Sequence, residues 1–67
     1  MRDMTDAQFK AALARHGING RGFLGYYTLP CGVDVSVINT GSTRRRAWLA
    51  WLIGQEKRFA KRFAKTN

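Results

Sequence analysis

The sequence predicts a small α+β domain in which a two-stranded antiparallel hairpin packs with two helices, in the order helix, strand, strand, helix. Three observations support this prediction. A helix start signal lies near the amino terminus, two runs rich in aromatic and β-branched residues follow, and the last third of the chain contains no proline. The 67 residues suffice for a single domain, 1–67, and a chain this short buries only about 60% of the surface it exposes when unfolded.

The first helix is predicted from a capping box. Thr5 can accept a hydrogen bond from the backbone of Gln8, whose side chain can reach back to the Thr5 amide. The helix should end near Gly17, which can adopt a left-handed conformation and let Ile18 fold back onto the helix. One narrow stripe of this helix should face the core: Phe9, Ala12 and Leu13.

Two strands are predicted over 23–29 and 33–39 from their aromatic and β-branched residues. Between them, the segment 29–32 has proline second and glycine fourth, which favours a type I turn with a glycine bulge. Adjacent strand residues point to opposite faces, so only one of Tyr26 and Tyr27 can join the core. The other is a candidate contact residue or a cover for the second face of the sheet. Alternation in the second strand directs three residues to the core: Val33, Val35 and Val37.

One long helix is predicted from about residue 43 to residue 65, after a turn with a helix cap at 39–43. Such a helix is about 34 Å long, so its last two turns should project beyond the small core or fray. On a helical wheel its apolar and basic residues separate onto two sides. The apolar side carries Trp48, Leu49, Leu52, Phe59 and Phe63. The basic side carries Lys57, Arg58, Lys61 and Lys65.

The charge of the chain is strongly unbalanced. Twelve lysines and arginines against four acidic residues give a formal net charge of +8 and an isoelectric point near 10.9. Such a surface attracts phosphate polymers, anionic lipids or acidic proteins, although it can also serve solubility alone. Cys31 is the single cysteine, so a reducing, cytoplasmic setting is expected. Neither a membrane span nor a signal peptide is expected, because the apolar runs are too short.

Three consecutive arginines, Arg44, Arg45 and Arg46, occupy the first turn of the predicted long helix. Each cation is unfavourable there by about 0.3–1 kcal/mol, because the amino-terminal end of the helix dipole is positive. The amide groups of the same turn, which follow Gly41, suit a bound phosphate or carboxylate. We therefore expect either an anion-binding site at this helix start or three arginine side chains that extend into water.

A basic repeat near the carboxyl terminus is the second candidate binding feature. The sequence Lys-Arg-Phe-Ala occurs at 57–60 and again at 61–64, and Lys65 follows. A four-residue period keeps the lysines on one helix face, where they can follow a phosphate backbone. The interleaved aromatic residues permit base stacking or insertion into an anionic membrane. Nucleic acid or a nucleoprotein is favoured over membrane, because the core needs the same apolar face.

No catalytic or metal-binding constellation is recognisable in the sequence. His16 and Cys31 are each single, and a structural zinc site needs four ligands. The Gly-Arg-Gly run at 20–22 lacks the preceding strand and following helix of a dinucleotide site. We therefore expect no enzymatic activity, no cofactor and no small-molecule substrate.

Two segments, Thr-Asp-Ala-Gln-Phe-Lys-Ala-Ala-Leu from position 5 and Thr-Arg-Arg-Arg-Ala-Trp-Leu-Ala-Trp-Leu-Ile from position 43, carry a family resemblance. Through them the region 5–53 resembles small accessory proteins of bacteriophages and prophages. That group includes anti-CRISPR proteins, which inhibit a host nucleoprotein complex by occupying its nucleic-acid channel or a subunit surface. Many of them are acidic mimics of nucleic acid, and this basic chain departs from that pattern. The resemblance implies a partner in the cytoplasm of a bacterial host and assigns no functional residue.

The sequence thus predicts a non-enzymatic binding protein whose first candidate partner is DNA or RNA. The residues expected to contact phosphates are Arg44, Arg45, Arg46, Lys57, Arg58, Lys61 and Lys65. The alternative is a phage-encoded, anti-CRISPR-like inhibitor that docks on an acidic surface of a host nucleoprotein complex. A peripheral binder of anionic membrane ranks third. A homodimer formed by strand pairing at an open sheet edge is also compatible with the sequence.

Overall fold

The fold consists of two helices and a three-stranded antiparallel sheet, seen in a computed structural model that describes residues 3–20 and 25–63, without the Phe63 side chain. The elements are α1 (Asp6–Arg15), β1 (Asn19–Gly20), β2 (Tyr26–Thr28), β3 (Asp34–Ser36), a 3-10 helix (Val37–Thr40) and α2 (Arg45–Phe63). β2 lies in the centre and pairs with both other strands. The predicted α+β class is confirmed, but the sheet has three strands where the sequence predicted two.

Both ends of α1 form as predicted. Thr5 Oγ1 accepts the Gln8 N–H at 3.1 Å, and Gln8 Oε1 accepts the Thr5 N–H at 3.0 Å, which completes the capping box. At the other end Gly17 has a φ of 70°, and the Ile18 N–H donates to the Leu13 carbonyl at 2.9 Å. This closure brings Ile18 into the core, where it is buried.

The predicted turn joins β2 and β3. The Gly32 N–H donates to the Leu29 carbonyl at 2.8 Å, and the Leu29 N–H donates to the Val33 carbonyl at 2.9 Å. Gly32 has a φ of 94°, as a glycine bulge after a type I turn requires. The strands themselves are three residues each and so are shorter than predicted. Positions 23 and 24 of the first predicted strand lie outside the described residues.

The second predicted strand ends early because its last residues form the 3-10 helix. Ser36 Oγ accepts the Ile38 N–H at 3.2 Å, which caps the turn in place of a strand ladder. The hydroxyl of Thr40 donates to the Val37 carbonyl at 2.8 Å, and Gly41 ends the helix with a φ of 69°. Serine and threonine side chains therefore outweigh the β propensity of Val37 and Ile38.

Strand β1 was not predicted, since Asn19 and Gly20 have low β propensity. It forms because burial of Ile18 lays the following residues alongside β2, where Gly20 pairs with Tyr27. A Cβ on Gly20 would lie 3.1 Å from the Tyr27 ring, so the missing side chain makes room for the tyrosine. The outer strands β1 and β3 are only two and three residues long. A strand-paired homodimer remains a prediction.

The core lies between α1, the hairpin and α2. Its buried members are Phe9, Leu13, Ile18, Leu29, Val37 and Leu52. The predicted apolar side of α2 packs here through Trp48, Leu49 and Phe59, together with Trp51. α2 begins at Arg45, two residues later than predicted, and the predicted extension to Lys65 lies outside the described residues. Within the described ranges, no helix is long and apolar enough to cross a membrane.

Candidate functional site

The start of α2 holds a carboxylate from the same chain. Asp3 Oδ2 accepts the Arg45 N–H at 2.8 Å, and Asp3 Oδ1 accepts the Arg46 N–H at 3.0 Å. These hydrogen bonds hold the pKa of Asp3 below its ordinary value. An anion at this helix end was one of the two alternatives expected from the sequence, and the structure supplies a carboxylate there from within the chain. The two amides are therefore not open to an external phosphate while Asp3 is bound.

The three arginines at this end differ in their surroundings. Arg45 is half-buried, and its guanidinium reaches the Met4 carbonyl at 3.4 Å and the Asp6 carboxylate at 3.8 Å. It joins the start of α2 to the start of α1. Arg44 and Arg46 are exposed.

Each of the four acidic residues makes a contact within the chain. Asp3 caps α2, and Asp6 forms ion pairs with lysine and arginine side chains. Asp34 accepts a threonine hydroxyl of β2 at 2.7 Å. Glu56 accepts the backbone N–H of Cys31 at 3.3 Å and thereby ties the middle of α2 to the hairpin turn. The negative charge is thus used in internal contacts.

The predicted basic side of α2 is exposed at Lys57, Arg58 and Lys61. Arg62, which is not among the contacts predicted from the sequence, is exposed as well, and Lys65 lies outside the described residues. Lys57 and Lys61 lie one turn apart on one face, and the two arginines form a neighbouring stripe. Arg46 and Lys57 are eleven positions apart, which is about 16 Å along the helix, so the predicted contacts form two groups at opposite ends of α2.

A groove runs between the hairpin and α2 beside the arginine stripe. It has a volume of about 420 Å³. Its apolar and aromatic lining includes Tyr26, Val35, Ile38, Trp51 and Phe59, and Gln55 adds an amide. The sequence indicated one of Tyr26 and Tyr27 as a candidate contact without deciding which. It did not indicate Trp51 or Ile38, because the groove forms only when α2 packs beside β3 and the 3-10 helix.

A second cavity, of about 460 Å³, lies on the opposite side between α1 and the start of α2. Phe9 meets Tyr27 and Trp48 there with ring centroids 6.1 and 6.0 Å apart. Burial raises the pKa of Tyr27. The Trp48 indole N–H donates to the Ser42 carbonyl at 2.7 Å. These aromatic contacts join α1, the sheet and α2, which is a structural role.

The described residues bring no three potential metal ligands of the histidine, cysteine or acidic type together. Cys31 has a free, half-buried thiol in the hairpin turn. His16 is exposed and its backbone N–H closes the end of α1. The features that can engage a partner here are charged and aromatic surfaces.

Comparison with known proteins identifies no relative of this chain: no family model matches it, and no match is found among curated proteins or solved structures.

Proposed function

We propose that this protein binds nucleic acid without catalysing a reaction, through the exposed basic side of α2. The observation that supports this proposal is the segregation of charge. All four carboxylates make internal contacts, whereas Lys57, Arg58, Lys61 and Arg62 are exposed along two turns of one helix. A row of cations attracts a phosphate backbone, and the net charge of +8 on the whole chain strengthens that attraction.

The face between the two groups of cations supports the same proposal. Arg46, Lys57 and Lys61 lie on one side of α2, and the residues between them on that side include Ala50 and Gly54, both exposed. Small side chains let a backbone approach the helix closely. Phosphate contacts of this kind position a nucleic acid without reading its sequence, so we expect sequence-tolerant binding.

Fluorescence anisotropy with labelled random-sequence DNA, duplex and single-stranded, tests the proposal. Binding should weaken steeply with salt, with a log–log slope of about −0.9 for each phosphate neutralised on B-DNA. Four to six contacts would give a slope of roughly −4 to −5. The same assay is run with labelled RNA. Absence of binding to DNA and RNA at low salt would contradict the proposal and favour an acidic protein surface as the partner.

A matched pair of variants distinguishes binding by the basic face of α2 from attraction by the net charge of the protein. The double variant Lys57→Gln, Lys61→Gln should reduce the magnitude of the salt slope by about 2. The control Lys10→Gln, Arg15→Gln removes the same charge from exposed positions of α1 and should leave the slope unchanged. An equal reduction of the salt slope in both variants would mean that net charge, and not α2, governs binding.

The compartment proposed for this activity is the cytoplasm of a bacterial host. Cys31 is the single cysteine and its thiol is free, which suits a reducing compartment. The resemblance to phage accessory proteins points the same way.

A further inference from the structure

We propose that the groove between the hairpin and α2 binds the bases of a single-stranded nucleic acid, which stack on Tyr26 and Trp51 while Arg58 and Arg62 contact the phosphates. This inference rests on the proposed function and adds to it a site that accepts single strands alone. A duplex keeps its base faces stacked on one another, so it cannot offer them to the groove.

The exposed apolar surface is concentrated at this groove. Among the described residues, Tyr26 and Ile38 are the large hydrophobic side chains classed as exposed, at 41% and 63%. Single exposed hydrophobic residues are ordinary, but these two line one groove together with half-buried Trp51 and Phe59. Tyr26 is available because its neighbour Tyr27 points to the opposite face and packs on Phe9.

The arginine stripe, Arg58 and Arg62, continues along α2 from the residues that line the groove. Trp51, Gln55, Arg58 and Arg62 follow the spacing i, i+4, i+7 and i+11, which places them along one side of α2. Aromatic side chains flanked by cations are the arrangement that proteins use to bind single strands, since every base has a face to stack and every nucleotide has a phosphate to neutralise. Arginine can also stack on a base with its planar guanidinium.

The polar residues that line the groove indicate how a single-stranded nucleic acid would lie in it. Asp34 borders the sheet end of the groove, where its negative charge disfavours a phosphate. We therefore place the bases toward the sheet and the phosphates toward Arg58 and Arg62. The side chains of Asn39 and Gln55 line the groove and can both donate to and accept from base edges. The groove volume, about 420 Å³, falls within the range of ligand sites.

Tyr26→Ala tests base stacking on the Tyr26 ring, which is exposed and lies outside the core. With oligo(dT) or oligo(U), the affinity should fall by about 5- to 150-fold, the equivalent of one lost base–aromatic stack. Tyr26→Phe keeps the ring and should bind like the parent protein. Duplex affinity should be unchanged in both variants. Comparison of the two oligonucleotides shows whether DNA or RNA is preferred.

Tryptophan fluorescence provides a second readout, because Trp48 and Trp51 lie on different sides of the domain. Oligo(dT) or oligo(U) should quench the emission of the Trp48→Phe variant, in which Trp51 remains, and should leave Trp51→Phe almost unquenched. Circular dichroism checks that both variants fold. Polyglutamate is the control polyanion, since it has charge but no bases, and it should not quench Trp51.

The outcomes separate this inference from the proposed function. If Lys57→Gln, Lys61→Gln weakens binding but Tyr26→Ala does not, the basic face binds nucleic acid and the groove inference is wrong. Quenching of Trp51 by polyglutamate as strong as that by the oligonucleotides would also overturn it, in favour of an acidic protein partner. Failure of all nucleic acids to bind would overturn both proposals.

Discussion

The carboxylate of Asp3 offsets the unfavourable positive charge of the three arginines at the start of α2. Cations at this end of a helix oppose its dipole, but the Asp3 carboxylate accepts the amides of Arg45 and Arg46 and supplies the negative charge that the helix end favours. Arg45 in turn contacts Met4 and Asp6 at the start of α1. One carboxylate and one guanidinium therefore connect the first residues of the two helices, leaving Arg44 and Arg46 exposed.

Replacement of Asp3 tests this contact through its pH dependence. Because the pKa of Asp3 is lowered in the folded state by the two amide hydrogen bonds, ionised Asp3 stabilises the fold. That stability is fully present above the ordinary aspartate pKa of about 3.9 and is lost as the pH falls through the lower folded-state pKa. Asp3→Asn should therefore melt lower than the parent protein near neutral pH, and the gap should narrow as the pH falls below about 4 and through the lower folded-state pKa of Asp3.

Thermal melts monitored by circular dichroism between pH 2 and 7 measure the effect. Asp3→Ala, which removes both acceptor oxygens, should melt lower than Asp3→Asn at neutral pH. A gap between Asp3→Asn and the parent that stays constant with pH would show that the carboxylate does not cap α2 in solution.

At the scale of elements, side-chain hydrogen bonds determine where the short segments begin and end. The capping box starts α1, and Ser36 and Thr40 turn the end of the β3 region into a 3-10 helix. Glu56 holds α2 against the hairpin turn through the Cys31 amide. These polar contacts matter because strands of two or three residues have few ladder hydrogen bonds of their own.

Two glycines in different elements should respond oppositely to alanine. Gly54 lies inside α2 with no atom within 4 Å of an added Cβ, so Gly54→Ala should raise the free energy of unfolding by about 0.5–1 kcal/mol. Gly32 also has open space around it, but its φ is 94°, so Gly32→Ala should lower that free energy by about 1–2 kcal/mol. Urea unfolding of the two variants measures both changes. A stabilised Gly32→Ala would contradict the glycine bulge.

The whole molecule depends on one small core in which α2 is the common partner. The residues buried in it come from α1, the segments flanking β1, β2 and β3, and the middle of α2. Leu52 is fully buried, and its neighbours on α2 are half-buried. A chain of 67 residues has a total stability of only about 3–10 kcal/mol, so a single core position can decide whether it folds.

Leu52→Ala should lower the free energy of unfolding by about 2–5 kcal/mol, since it removes a fully buried side chain and leaves a cavity. Leu49→Ala, at a half-buried position of the same helix, should cost clearly less. Urea denaturation followed by far-ultraviolet circular dichroism measures both. An equal loss of unfolding free energy in the two variants would mean that α2 packs against the core in a different rotational orientation.

Some features were predictable from local sequence because the interactions that form them are local. Thr5 and Gln8 cap α1, Gly17 ends it, and Gly32 closes the hairpin turn, all through contacts between residues at most five positions apart. The amphipathic pattern of α2 likewise indicated its buried side and its exposed cations. The α+β class follows from these elements and their order.

The tertiary structure decided what depends on distant residues. Asp3 lies more than forty positions before the amides that it accepts, so no local pattern shows that the arginine-rich helix start already has its anion. The groove brings Tyr26 and Ile38 beside Trp51, which no periodicity relates. β1 forms from two residues of low β propensity because the burial of Ile18 places them next to β2. The sequence by itself determined the two helices, the hairpin turn and the charge, because local interactions and composition suffice for these, whereas long-range packing determined the third strand and which charges and aromatic rings remain exposed.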